Sequence, residues 1–245
     1  MSAQRREISG MRVISYNLLE GMKLDSSKNK ALFTAWVKRY DPTVLAIQEA
    51  NGFTQQSIKK LAKQYGHPYA VLVKESGYPT AITSKEPILF VQKVVDNITH
   101  GFIQATIGGC NFIVLHLNPH HEKKRREELN IILQTVKQTR EKSDWLIMVY
   151  FNSGSPLDSL HYSREKDYTL HAKIESVGFK DVLSGKGFEP TIPTKRYATE
   201  TKESVRYDFI YVSKKLKKQV VNAFVIRDDF TDNYSDHYPI LVDFR

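Results

Sequence analysis

Five consecutive apolar residues, Trp145-Leu-Ile-Met-Val149, leave this chain the least freedom. A strand with no polar position has no face to give to water, so it must lie in a sheet covered on both sides. The run exits through Tyr150-Phe151-Asn152, which puts polar groups at the end of a buried strand. A second strand, Val44-Leu-Ala-Ile-Gln48, delivers Glu49 in the same way, and Arg12-Val-Ile-Ser-Tyr-Asn17 ends on Asn17.

Between and after these strands the spacing predicts helices and hairpins. Ser27 to Tyr40 places Leu32, Ala35, Trp36 and the stem of Arg39 at helical spacing, with Ser26 or Ser27 as cap and Asp41-Pro42 as stop. Ile58, Leu61, Ala62 and Tyr65 mark a second helix, ended by Gly66-His-Pro68. Short strands follow at Tyr69 to Val73 and Thr80 to Thr83. Phe102 to Ile107 and Asn111 to Leu115 flank Gly108-Gly109 as a hairpin that leads to His116. Lys123 to Arg140 carries Leu129, Ile132, Leu133 and Val136 on one helical face. A short helix around Leu170 to Val177 precedes an irregular stretch, Asp181 to Ser204, and the closing strands are Val205 to Val212, Val220 to Ile226 and Ile240 to Phe244. Helices alternating with strands early, and hairpins later, predict an α/β fold of mixed sheets covered by helices. Asn17, Glu49, His116, Asn152 and His237 then fall at strand ends, the usual place for a site in such folds.

With 245 residues and 41% hydrophobic content, the expectation is one domain over residues 11–245 behind a polar tail at 1–10. No apolar run is long enough to span a membrane and no signal-peptide core is visible, so the chain as given reads as a soluble monomer of unassigned compartment. Cys110 is the only cysteine, which excludes an intrachain disulfide and argues against a Cys-based zinc site. Lys plus Arg number 36 against 27 Asp plus Glu, a net charge of +9 that favours polyanionic partners, nucleic acid first. The basic clusters Lys123-Lys-Arg-Arg126 and Lys214-Lys-Leu-Lys-Lys218 are either phosphate-tracking or simply solvated.

Glu49 and Asp236 are hard oxygen donors suited to Mg²⁺ or Mn²⁺, with Asn17 beside them as a neutral ligand or supporting group. His237 is placed to move a proton, and Asp208 to hold its imidazole in one tautomer. Taken together, strand-Asn17, Gln48-Glu49, His116-Leu117, Phe151-Asn152, Arg206-Tyr-Asp208-Phe-Ile and Ser235-Asp236-His237-Tyr-Pro resemble, in this order, the endonuclease/exonuclease/phosphatase superfamily. Its members include pancreatic-type deoxyribonucleases, abasic-site endonucleases, neutral sphingomyelinases and inositol-phosphate phosphatases. The resemblance runs from Met11 onward and implies a four-layer α/β sandwich, two packed mixed β-sheets flanked by helices. It also implies magnesium-dependent hydrolysis of phosphate esters, in which His116 and Asn152 donate hydrogen bonds to phosphate oxygens. His120 and His121 read as loop residues, and Lys195, Arg196 and Tyr197 stay outside the expected site.

One position departs from the pattern. Where the family carries Gly-Asp-Phe-Asn or a near variant, this chain has Val149-Tyr150-Phe151-Asn152. The family acid helps to activate water or assist the leaving group, and a phenol with an ordinary pKa of about 10 cannot replace it as a base near neutral pH. Two classes follow: a metal-dependent phosphodiesterase or phosphatase impaired at Tyr150, or a phosphate- or nucleic-acid-binding module that has lost turnover. The chain has Arg206-Tyr-Asp208 in place of the Trp-Cys-Asp-Arg run of inositol-phosphate phosphatases, which sets that branch aside.

Overall fold

The computed structural model describes residues 10–23, 27–138, 144–163, 167–199 and 203–245. Most of the polar tail, the Ser26 cap and positions 139–140 of the third expected helix lie outside the described residues. The first sheet holds β1 (Arg12–Asn17), β2 (Val44–Gln48), β3 (Tyr69–Leu72), β4 (Ala81–Ser84), β11 (Val220–Val225) and β12 (Ile240–Phe244), in the order β11-β12-β1-β2-β4-β3. The second holds β5 (Leu89–Val94), β6 (Phe102–Ile107), β7 (Cys110–His116), β8 (Trp145–Tyr150), β9 (Phe179–Asp181) and β10 (Asp208–Ser213), in the order β5-β6-β7-β8-β10-β9.

Each sheet has one parallel pair at its centre, β1 with β2 and β7 with β8, and its other pairings are antiparallel. A parallel pair needs a crossover, here α1 (Ser27–Tyr40) and α3 (Glu122–Gln138), so these helices end up on the outer faces. The Trp145–Val149 run shows why both faces must be covered. Leu146 and Met148 join the layer between the sheets, while Trp145, Ile147 and Val149 pack outward with Leu129, Ile132 and Leu133 of α3. On the other sheet Val44 and Ala46 face inward, while Leu45 and Ile47 face α1 and α2 (Gln55–Gln64). The result is the expected four-layer sandwich.

Some expectations needed correction. The buried face of α1 is Phe33, Trp36 and Val37, whereas Leu32, Ala35 and Arg39 are exposed. Trp36 packs against Tyr16, Phe33, Tyr40 and Phe230 and donates to Asp228 at 3.0 Å, so the large rings set the rotation of the helix. The strand expected from Val205 begins only at Asp208. Val205 bridges to Ile192, and Thr191 Oγ1 takes the amides of Tyr207 and Asp208. The Arg206 side chain, 2% exposed, turns into an ion pair with Asp158 and Asp181. β5 gave no sequence signal because it is an edge strand with almost no buried residue, and β9 is only three residues long.

Histidine burial makes the fold acid-sensitive. His67 is fully buried between Pro42 O and Thr83 Oγ1, each at 2.8 Å, and burial lowers its pKa from 6.5 to about 4. His171 is buried in the same way, down to about 3. A depressed histidine pKa means the unfolded chain binds more protons below 6.5, so stability is full above that pH and is lost as pH falls toward the folded value. Denaturant titrations should therefore show a loss of about 3 kcal/mol between pH 6.5 and 4 from His67 alone. His67→Gln should flatten that part of the profile, and an unchanged slope would remove His67 from the account.

Candidate active site

The parallel pairs bring four strand ends together. β1 and β2 run in register with Asn17 beside Gln48, so Asn17 Nδ2 reaches Glu49 Oε1 at 3.0 Å. The amide of Glu20 donates to Glu49 Oε2 at 3.0 Å, and Asn17 Oδ1 accepts from the amide of Leu19 at 3.0 Å. Asn17 thus uses its side-chain amide to orient the Glu49 carboxylate. Glu49 is only 8% exposed and has a φ of +56°, backbone that a side chain adopts at a cost of roughly 1–3 kcal/mol. The loop that supplies the Glu20 amide closes at Gly21, where a Cβ would stand 2.4 Å from Asn51 O.

Asp236 and His237 precede β12 and are fastened to β1. Ser235 Oγ donates to Asn17 O at 2.8 Å and accepts from the amide of His237 at 3.1 Å. Thr194 binds the same run from the other side, through Ser235 O at 2.6 Å and Asp236 O at 3.1 Å. Asp208, at the start of β10, accepts from His237 Nδ1 at 2.8 Å. Burial would lower the pKa of His237, but Asp208, Asp236 and Glu49 outweigh it and raise the value to about 9. The imidazole is therefore a cation at neutral pH in the metal-free protein, poised to donate a proton, and becomes a base only above about 9. This qualifies the expectation of a simple base. Asp236 Oδ1, 3.7 Å from His237 Nε2, is buried without a hydrogen-bond partner.

The second sheet contributes the opposite wall. His116 sits between the rings of His100, at 4.2 Å, and Tyr150, at 4.8 Å, with its Nδ1 4.0 Å from Glu49 Oε1. Neither of its ring nitrogens has a partner, and burial holds it neutral, well below the ordinary histidine value. Asn152, with φ +53°, donates to Leu117 O at 3.1 Å. Tyr150 presents its ring to His237 at 4.5 Å and 89°, and burial with the charges of Asp208, Asp236 and Glu49 pushes its phenol well above 10. It stays protonated and can act only as a neutral donor or acceptor.

Glu49, His116, Tyr150 and Asn152 share the lining of one cavity of about 430 Å³. All eight residues expected at the site thus gather at one end of the sandwich. Lys195, Arg196 and Tyr197 do not line that cavity, whereas the loop residue His120 does. Sequence reasoning missed Thr194 and the anchoring role of Ser235, since such hydrogen bonds leave no spacing signal, and it missed His100, a lone histidine before β6. It also missed how α3 holds the loop after His116. Glu128, fully buried, accepts from the amides of Thr99 and Asn118 at 2.7 and 2.9 Å, and Arg125 donates to Asn118 O.

The residues that could hold a cation are hard oxygen donors of the kind that suits Mg²⁺ or Mn²⁺. They offer two carboxylates, one with an orphaned buried oxygen, and no cluster of three or more His, Cys, Asp or Glu at ligand spacing exists among the described residues. Mg²⁺ is commonly held by one or two carboxylates with water completing its shell.

Residues 14–237 match the Endonuclease/Exonuclease/phosphatase family. The chain belongs to this family. Solved structures with the same fold include an AP endonuclease from Archaeoglobus fulgidus, at 20% identity and TM-score 0.75, covering 96% of this chain and 99% of that one. A 3' phosphatase, NExo, from Neisseria, bound to a product DNA hairpin, is 18% identical with TM-score 0.77 and the same coverage. A mannosyl-6-phosphatase from Bacteroides thetaiotaomicron is 16% identical with TM-score 0.70, again covering 96% and 99%. No curated protein matches the chain.

In this family member the His237 cation depends first on the Asp208 partner. Asp208→Asn should lower the His237 pKa by roughly one to three units. An NMR titration of the imidazole in chelator-treated buffer measures it, and a value still near 9 would shift the credit to Asp236 and Glu49.

Proposed function

We propose that this chain is a phosphoester hydrolase that works with bound Mg²⁺ or Mn²⁺, as a single domain over residues 11–245, and that Tyr150 slows it strongly. The observation that carries the reading is the unpartnered buried oxygen of Asp236 beside the His237–Asp208 pair, with Glu49 nearby. Family members are hydrolases of phosphate esters, and the neighbours include an exonuclease and two phosphatases.

Glu49 and Asp236 would hold the cation, with Asn17 orienting Glu49. When bound, the ion supplies Lewis-acid polarisation of a phosphoryl oxygen. With a cation on Glu49 and Asp236, His237 would have less Coulombic support and its pKa would fall toward the range where it can take a proton from water, with Asp208 keeping Nδ1 protonated. His116 and Asn152 would donate to the non-bridging oxygens as charge builds there. Tyr150 occupies the place of the acid next to His237 and His116, and its phenol keeps its proton, so one proton-transfer path is absent.

A second reading, a phosphate-binding module without turnover, is favoured by Tyr150 alone. Steady-state hydrolysis of a generic phosphodiester and a phosphomonoester separates them. The unmodified chain should be slow with saturating Mg²⁺, and Tyr150→Asp should gain much of the roughly 10²- to 10⁴-fold that a positioned acid or base contributes. Glu49→Ala should abolish the Mg²⁺ response. Brisk turnover that Tyr150→Asp leaves unchanged would mean that the phenol belongs to a working mechanism.

Net charge makes nucleic acid one candidate substrate class, and a structural neighbour, TDP2 from D. rerio, is complexed with single-strand DNA product. The basic clusters, however, do not line the cavity. Lys214–Lys217 follows the far end of β10, about 20 Å of strand away from Asp208 at roughly 3.3 Å per residue. Arg125 is buried under the Asn118 loop, and Arg126 pairs with Asp167. If nucleic acid is bound, its affinity should fall steeply with salt. A flat response would point to a small phosphoester.

A further inference from the structure

The cavity beside Glu49 is chemically unlike a polyphosphate groove. Its walls include Tyr78, His100, His116, Pro119, His120 and Tyr150, and no Lys or Arg among the described residues lines it. Lys74, whose charge reaches His100, is tied to Thr99 O at 3.1 Å. Several polar groups in the wall are already used. Thr99 Oγ1 bonds Glu128 and Asn118, Asn118 Oδ1 accepts from the amides of His120 and His121, and Asn152 Nδ2 serves Leu117 O.

What remains free is neutral. His100, 8% exposed, has no partner for Nε2, and His116, 3% exposed, has none for either nitrogen. Burial keeps the His100 ring uncharged. A neutral imidazole offers one donor and one acceptor, as a phenol does, and a ligand hydroxyl is the group that can answer either. Leaving such buried atoms unpaired is unfavourable, so an apolar ligand fits poorly, and a second phosphate finds no cation. Tyr78, His120 and Pro119 add ring faces that can cover the C–H face of a saturated ring. The volume, about 430 Å³, lies near the small end of the roughly 300–1,000 Å³ range of ligand pockets.

We propose that this cavity is a sugar subsite, in which His100 binds a hydroxyl of the uncharged ring esterified to the phosphate that His116, Asn152 and a cation on Glu49 would hold. The proposal rests on the phosphoester reading above and adds the substrate half that the family motifs do not describe. The ring could come from a free sugar phosphate or from the phosphorylated end of a nucleic-acid strand.

Inorganic phosphate, ribose 5-phosphate and a short single-stranded oligonucleotide with a terminal phosphate, each titrated into the full chain with Mg²⁺ present, distinguish these sources. His100→Phe keeps a ring against His116 but removes the nitrogens, and His100→Gln restores a polar group. His100→Phe should bind the sugar-bearing ligands roughly tenfold more weakly, the worth of one lost hydrogen bond in a buried site, with inorganic phosphate unaffected and partial recovery in His100→Gln. Loss confined to ribose 5-phosphate assigns a free sugar phosphate, and loss with the oligonucleotide assigns a strand end. Equal losses for inorganic phosphate, or no loss for either sugar-bearing ligand, overturns the subsite. Should His100→Phe fail to fold, the His100 ring signals of the unmodified chain provide the test: they should move with ribose 5-phosphate and stay fixed with inorganic phosphate, and the reverse overturns the proposal. Absence of turnover by the unmodified chain and Tyr150→Asp alike, with the His100-dependent preference intact, would overturn the hydrolase reading and support the subsite.

Discussion

The apolar layer between the two sheets is the constraint from which the rest follows. Val13, Val44, Ala46, Leu146, Met148 and Ile210 meet there, all fully buried, and burying one such large side chain contributes roughly 1.5–3 kcal/mol. Because strands at the centre of both sheets are also apolar on their outer faces, helices must cover them, and each parallel pair needs its crossover on that outer side. The strand ends left at one edge of the layer then come from both sheets. A site built this way is positioned by the core, and the loops that carry it need only short hydrogen-bonded ties such as Ser235 to Asn17 and Glu128 to Asn118.

Electrostatically the site has two halves. Next to the first sheet, Glu49, Asp236 and Asp208 surround His237 and make it a cation. Next to the second, His116 and His100 stack on each other without a hydrogen bond to any carboxylate, although Glu49 Oε1 lies 4.0 Å from His116 Nδ1, and desolvation leaves both neutral. Tyr150 stands between the two imidazoles, in contact with one of each kind. A phenol at this point brings no negative charge to the midline of the site.

Much of the architecture could be read from the chain because local pattern and burial agree in it. The Trp145–Val149 run forced a doubly covered strand, and α3 buries Leu129, Ile132 and Leu133 as its spacing predicted. The exceptions have particular causes. α1 is rotated by its aromatic residues, the run from Val205 gives up its first residues to the buried Arg206 ion pairs, and β5 lies outside the core. In each case a contact distant in sequence overrode the local pattern.

For the site, the sequence by itself determined which side chains stand at the strand ends, since Asn17, Glu49, His116, Asn152 and His237 follow directly from where each strand stops. It also placed Tyr150 where the family resemblance leads one to expect an acid. Only the tertiary structure decided their states. The charge of His237 is set by carboxylates arriving from three separate strand ends, and the neutrality of His116 by the depth at which the sheets bury it. His100 entered the site through a ring contact with a residue sixteen positions away. Through-space fields and desolvation depend on distance and burial, which sequence spacing does not encode.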